Sequence, residues 1–282
     1  MKTALFSGMF KPYPIETAIE KAAQVGYDAI EIMVGFEGDH LDVTCSPERA
    51  SEIASVAGNN GIDICLIYAS MGREILTDPQ KARGDLNDVD RFLDIGDRMS
   101  CKMLKVTAGR LVDNAYKDDE ARVVADWLAE ASDRAASHDS RIVAEIHFGQ
   151  YCETVAMARK VIDLVDRRNF GVIHDAGNLH ITGDIYGEDS VDVLGDRIFH
   201  VHVKDMVETA ADDETGHDYL AGRFKRSPLN AGNVDHTSLL RGLKKIGFDG
   251  YLSCEASGGS DPVAVARHEL AELKRLMEQA SE

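Results

Sequence analysis

RIVAEIHFGQYCETVAMARKVIDLVDRRNFGVIHDA, residues 141–176, holds one complete structural unit. Its two ends, RIVAEIH (141–147) and FGVIHDA (170–176), are short, rich in β-branched residues and almost continuously apolar. Strands covered on both faces of a parallel sheet read this way. Between them, 153–167 spaces its apolar residues for one face of a helix. Strand, helix and strand in this compass make a parallel crossover unit.

The same alternation continues on both sides. Upstream lie the strand-like runs TALFSGM (3–9), YDAIEIM (27–33), IDICLIYA (62–69) and KMLKVTA (102–108); downstream lie IFHVHVKD (198–205) and GYLSCE (250–255). Amphipathic stretches at 15–25, 47–59, 79–99, 118–137, 189–195, 236–246 and 262–279 separate or follow them. Ser46–Pro47 and Asp261–Pro262 read as an N-cap followed by proline in the first turn. Eight strands alternating with eight helices predict an α/β fold, a single (β/α)8 TIM barrel spanning 1–282. An open doubly wound sheet is the alternative. Its Gly-rich phosphate turn is missing after the first strand, where the chain reads GMFKPYP (8–14). Residues 206–235 read as a long irregular polar segment, and a loop of that length is expected to be functional.

Charge narrows the partners. Thirty-one basic against 49 acidic side chains leave a net charge of −18, which repels phosphate backbones and anionic lipid. Neither nucleic acid nor a membrane is the expected partner. Residues 2–10 are too short an apolar stretch for a signal-peptide core, so a cytoplasmic location is expected. The five cysteines contain no C-x-x-C pair and are read as reduced thiols rather than as a disulfide framework or thiolate metal site.

Strands buried on both sides should exclude carboxylates, because desolvating one is costly without a partner or a metal. Yet Glu145 closes the fifth strand, Asp175 the sixth and Glu255 the eighth, with His202 near the end of the seventh. C-terminal strand ends of a barrel converge on one mouth. Three carboxylates brought together there repel one another unless a cation sits among them. Three oxygen donors and one imidazole without thiolate suit Mn²⁺, with Mg²⁺, Co²⁺ or Fe²⁺ as alternatives, better than a structural zinc site.

RIVAEIHFG (141–149), FGVIHDAGNLH (170–180), FHVHVKD (199–205) and GFDGYLSCEAS (247–257) resemble the motifs of the sugar phosphate isomerase/epimerase superfamily, the xylose-isomerase-like TIM barrels. YDAIEIM and the PLNAGN stretch (228–233) extend the likeness over most of the chain. The resemblance implies Glu145, Asp175, His202 and Glu255 as metal ligands, the set already reached from strand-end charge. It also implies a keto-sugar substrate and a possible homo-oligomer, dimer or tetramer. The ketohexose 3-epimerase branch has a His three residues after the metal Asp, where this chain has Asn178, and Gly-Glu after the metal His, where it has Val203 and Lys204. The HVKD form is more similar to branches acting on inososes or other keto sugars, dehydratases and lyases among them.

A divalent ion at such a site polarises a sugar carbonyl and stabilises the enediolate left by the α-proton. Glu145 and Glu255 are then the expected acid/base pair of an isomerase or epimerase, with dehydration or 3-keto-glycoside cleavage as the alternative outcome. His147 shares inward parity with Glu145 and is a candidate substrate contact, as are Asn178 and Lys204. Glu31 ends the second strand and is expected to bind sugar hydroxyls or to pair with an Arg. Arg223, with Lys225 and Arg226, forms a basic cluster in the long segment, read either as a solvated loop or as a clamp for an anionic or polyhydroxylated substrate. His200 is expected to be a hydrogen-bonded interior residue, and His174 to face the helices. A metal-dependent apurinic-site nuclease is disfavoured by the acidic charge and the single imidazole. A non-catalytic sugar-binding subunit would bind metal without α-proton exchange.

Overall fold

The computed structural model describes residues 1–34 and 40–281. In chain order it contains β1 (Lys2–Phe6), α1 (Ile15–Val25), β2 (Ala29–Met33), α2 (Pro47–Asn60), β3 (Asp63–Tyr68), α3 (Pro79–Met99), β4 (Met103–Val106), α4 (Asp118–Ala136), β5 (Arg141–Glu145) and α5 (Val155–Val165). Then come β6 (Phe170–Asp175), α6 (Ala176–Thr182), α7 (Glu188–Leu194), β7 (Ile198–Val203), β8 (Asp205–Glu208), β9 (His217–Tyr219), β10 (Gly222–Ser227), α8 (His236–Lys245), β11 (Tyr251–Cys254) and α9 (Pro262–Gln279).

Eight strands close into a barrel in the order β1-β11-β7-β6-β5-β4-β3-β2, with β2 paired back onto β1 and every pairing parallel. Closure excludes the open sheet. The local signals account for several of the helix starts: the Ser46 hydroxyl accepts from the Arg49 N–H at 3.2 Å, and Asp261 accepts from the Ala264 N–H at 3.1 Å. The strands are apolar on both faces because both are covered. One large cluster packs strands against helices, and a smaller one contributed only by strands, including Ala4, Ala29, Val143, Ile173 and Phe199, fills the barrel interior.

Two expectations change. The run 198–205 is not one strand: the barrel strand ends at Val203, and Asp205 opens a separate antiparallel sheet, β8-β10-β9. Residues 206–235 therefore carry three short strand segments, at 206–208, 217–219 and 222–227, and are irregular between them. Their strands are short and polar, so neither β-branched density nor a long alternation marks them. Asp205 ties this region down, accepting from the backbone N–H groups of Met206, Gly232 and Val234 at 2.8, 3.0 and 3.1 Å. Helix α6, directly after β6, is the other addition; Asp175 caps it by accepting from the Asn178 N–H at 2.8 Å.

Candidate metal centre

Glu145, Asp175, His202 and Glu255 arrive from the ends of four neighbouring strands, β5, β6, β7 and β11. Each offers one ligand atom, and all four atoms lie within 4.8 Å of one another. The Nδ1 of His202 faces the three carboxylates, at 3.3 Å from Glu145, 3.7 Å from Asp175 and 3.6 Å from Glu255. Its Nε2 turns the other way, toward Glu31 at 3.0 Å. A bound ligand histidine commonly has this arrangement, one nitrogen toward the ion and the other on a carboxylate. The donor set is two buried carboxylates, the partly buried Glu255 carboxylate and a buried imidazole. It fits one hard or borderline divalent cation.

The carboxylates are held individually. Glu145 Oε2 accepts from the Tyr68 hydroxyl at 2.5 Å, and the Asn178 amide nitrogen lies 3.2 Å from Oε1. That same nitrogen reaches Asp175 Oδ2 at 3.1 Å and the Ile146 carbonyl at 2.9 Å, so Asn178 orients two of the four acidic and imidazole groups. Lys204 Nζ sits 2.8 Å from Asp175 and 2.9 Å from Glu255. Gly177 makes room for it: a Cβ there would stand 2.6 Å from Lys204 Cγ. Arg226 donates to Glu255 twice, to its Oε1 at 2.5 Å and its backbone carbonyl at 2.8 Å.

Burial resists ionisation of Glu145 and Glu255, but neighbouring cations win. The His202 hydrogen bond and charge hold Glu145 well below the usual carboxylate range. Arg226 and Lys204 do the same for Glu255. For Lys204 itself, burial is outweighed by Asp175 and Glu255, which raise its ammonium pKa.

Several sequence expectations meet a different placement. Glu31 lies inside β2, fully buried, and pairs with His202 and with His200 Nε2 at 3.0 Å rather than with an Arg or an open sugar site. Against burial, those two imidazoles lower its pKa to about 2. Arg223 does not reach the centre: its guanidinium is engaged within the small sheet by Asp218 Oδ1 and the Asp213 carbonyl, both at 2.9 Å. Arg226, three residues further along β10 and so on the other face of the strand, is the basic side chain this segment delivers to Glu255. His147 is half-buried, its Nδ1 2.8 Å from the Phe148 carbonyl, and lines a cavity beside Tyr68. His200 is interior, and His174 meets Ser190 Oγ at 2.8 Å on the helix side.

Tyr68 and Lys105 escaped the sequence reading. Both end or nearly end their strands, the position that singled out the four candidate ligands, but a criterion confined to acids and imidazoles passes over them. Lys105 is buried, 4.0 Å from Glu145 and 4.1 Å from the centre of the Tyr68 ring.

Residues 19–276 match the sequence profile of the xylose isomerase-like TIM barrel, and the chain belongs to that family. Inosose dehydratase of Lacticaseibacillus casei is 29% identical over 164 residues, 55% of this chain and 53% of that protein. The chain thus spans about half the length of the inosose dehydratases it matches. L-ribulose 3-epimerase of Methylomonas sp. (strain DH-1) is 25% identical over 264 residues, 89% of this chain and 82% of the relative. The probable 3-DHS dehydratase AsbF of Bacillus anthracis superposes with a TM-score of 0.80 at 16% identity, over 97% of this chain and 99% of its own. The IOLI protein with a bound zinc atom gives 0.80 at 18% identity over 99% of both chains. At these identities the two structures show the fold alone.

Proposed function

We propose that this chain is a divalent-metal-dependent enzyme that removes the proton α to the carbonyl of a keto sugar and acts as an isomerase or epimerase, with Glu145 and Glu255 as the acid/base pair. The observation that carries it is the convergence of ligand atoms from three carboxylates and one imidazole within 4.8 Å at the ends of four neighbouring barrel strands. When bound, the ion, manganese on this oxygen-rich donor set, polarises the substrate carbonyl and offsets the charge of the enediolate. Tyr68 and Asn178 fix the orientation of Glu145, while Arg226 and Lys204 fix Glu255. One carboxylate accepts the α-proton and the other delivers one. Delivery to the opposite face of the same carbon gives an epimer, and delivery to the neighbouring carbon an isomer.

Dehydration is a second reading, and Lys204 favours it. Its ammonium, 2.9 Å from Glu255, is a proton source for a hydroxyl leaving from the β-carbon, which departs as water while the enediolate electrons form the new double bond. The inosose dehydratases among the relatives support the same outcome.

Incubating the manganese-loaded chain in D₂O with ketoses and inososes, followed by NMR, separates the cases. Deuterium at the α-carbon with all hydroxyls retained indicates epimerisation or isomerisation; loss of the β-hydroxyl indicates dehydration. A chain that binds manganese but exchanges no proton with any member of the panel is a sugar-binding subunit, and the proposal is then wrong. If dehydration is the reaction, Lys204→Met should slow it by about 10²–10⁴-fold, the usual worth of a general acid, while α-exchange persists.

A further inference from the structure

A cavity of about 590 Å³ opens on the Glu145 side of the centre, and its wall includes Tyr68, Arg73, Lys105, Arg110, His147 and Gln150. Its lining contains no Asp or Glu. That is unusual in a chain with 49 acidic residues and a net charge of −18. The two cations on the opposite side of the centre, Lys204 and Arg226, are both paired to carboxylates. Among the described residues, by contrast, neither Arg73 nor Arg110 has an ion-pair or side-chain hydrogen-bond partner. Lys105 is buried in the wall, with Glu145 no nearer than 4.0 Å. Arg73 and Arg110 line the same cavity as Lys105.

Three cations around a cavity free of acid raise the same question as three carboxylates around a point, with the sign reversed. Like charges held together in a partly desolvated wall are costly unless an opposite charge joins them. Arg73 and Arg110 present guanidinium forks suited to bidentate recognition of a carboxylate or phosphate. The cavity also borders the Tyr68–Glu145 hydrogen bond, so a molecule reacting at Glu145 reaches it directly. We infer that this cavity seats an anionic group, carboxylate or phosphate, carried by the substrate whose carbonyl lies at the Glu145 centre. The inference rests on the enolising reading for the position of the rest of the substrate, but the anion seat stands on its own residues.

The test uses matched probes on the manganese-loaded full chain, by calorimetry: quinate against myo-inositol, ring polyols with and without a carboxylate, and fructose 6-phosphate against fructose. At least one anionic member should bind about tenfold or more tightly than its neutral counterpart, the usual worth of a charge-assisted hydrogen bond. Which pair shows the preference tells carboxylate from phosphate. In Arg73→Gln/Arg110→Gln the preference should fall to within about twofold while the neutral member's affinity is unchanged. Arg73 is half-buried and Arg110 exposed, so both replacements are compatible with the fold, which thermal melting checks. Equal binding within both pairs, no binding of either anionic probe, a preference that survives the double variant, or equal loss of both members would each overturn the inference. Deuterium exchange is scored separately. A charge preference without exchange defeats the enolising reading and leaves the anion seat, and exchange without a charge preference does the reverse.

Discussion

Glu31 shows how much of the centre depends on a group that does not touch it. His202 can present Nδ1 to the three carboxylates in one ring orientation only if Nε2 has a partner in the barrel interior, and Glu31 supplies it at 3.0 Å while also holding His200. Glu31→Gln keeps the size and an acceptor oxygen but loses the charge. Outer carboxylates of this kind are worth about 10–100-fold in metal affinity. Titration calorimetry of Mn²⁺ should show that loss, and an unchanged dissociation constant would mean that His202 is oriented by packing alone. Glu269 carries the opposite lesson. It is buried and accepts from the Leu229 N–H at 3.1 Å, and burial raises its pKa. A carboxyl whose folded pKa lies above its unfolded value of ~4.3 contributes stability below that pH and loses it as pH rises through the folded value. Glu269→Gln retains an acceptor without the charge. It should melt higher than the parent at pH 7, with the difference vanishing near pH 4.

Among the elements, the segment between β7 and α8 decides which basic side chain meets the centre. Pairing β10 with β8 sets Arg226 opposite Met206, close above the end of β7, while Arg223 lies at the far end beside β9. Asp205 secures this register with its three backbone hydrogen bonds. Asp205→Ala leaves buried N–H groups unpaired, so it should cost about 1–3 kcal/mol or more and open 228–234 to limited proteolysis. A variant with parental stability and protease resistance would show that the sheet holds itself. Helix α6 plays the matching part on the other side, since its cap is Asp175 and its first-turn Asn178 reaches back to Glu145. Much of this was hidden from sequence reading. The four candidate ligands stand out because a charged group in a doubly covered strand violates a local rule. Arg226 against Arg223 is invisible, because both are exposed-looking bases in one polar run and only the hairpin register separates them. Tyr68 and Lys105 violate no rule strongly enough to be seen.

Over the whole molecule, charge is sorted more finely than a net value of −18 suggests. One side of the barrel mouth gathers carboxylates and balances them with Lys204 and Arg226, and the neighbouring cavity gathers cations without acids. A metal that binds only the folded chain should stabilise it by about 2.7 kcal/mol at a hundredfold excess over its dissociation constant. For a chain of this size that is a Tm rise of roughly 5 °C. EDTA should reverse it, and Asp175→Asn should abolish it; a melting temperature indifferent to metal would argue against the centre. The alternation of eight strands and eight helices, and the acids and imidazole at the ends of the last four strands, follow from periodicity and desolvation, which act between neighbours along the chain. Contacts such as Glu31 with His202, 171 positions apart, or Tyr68 with Glu145, 77 apart, arise only when the barrel closes. Their partners are set by strand order, register and twist across the interior, which no local pattern encodes.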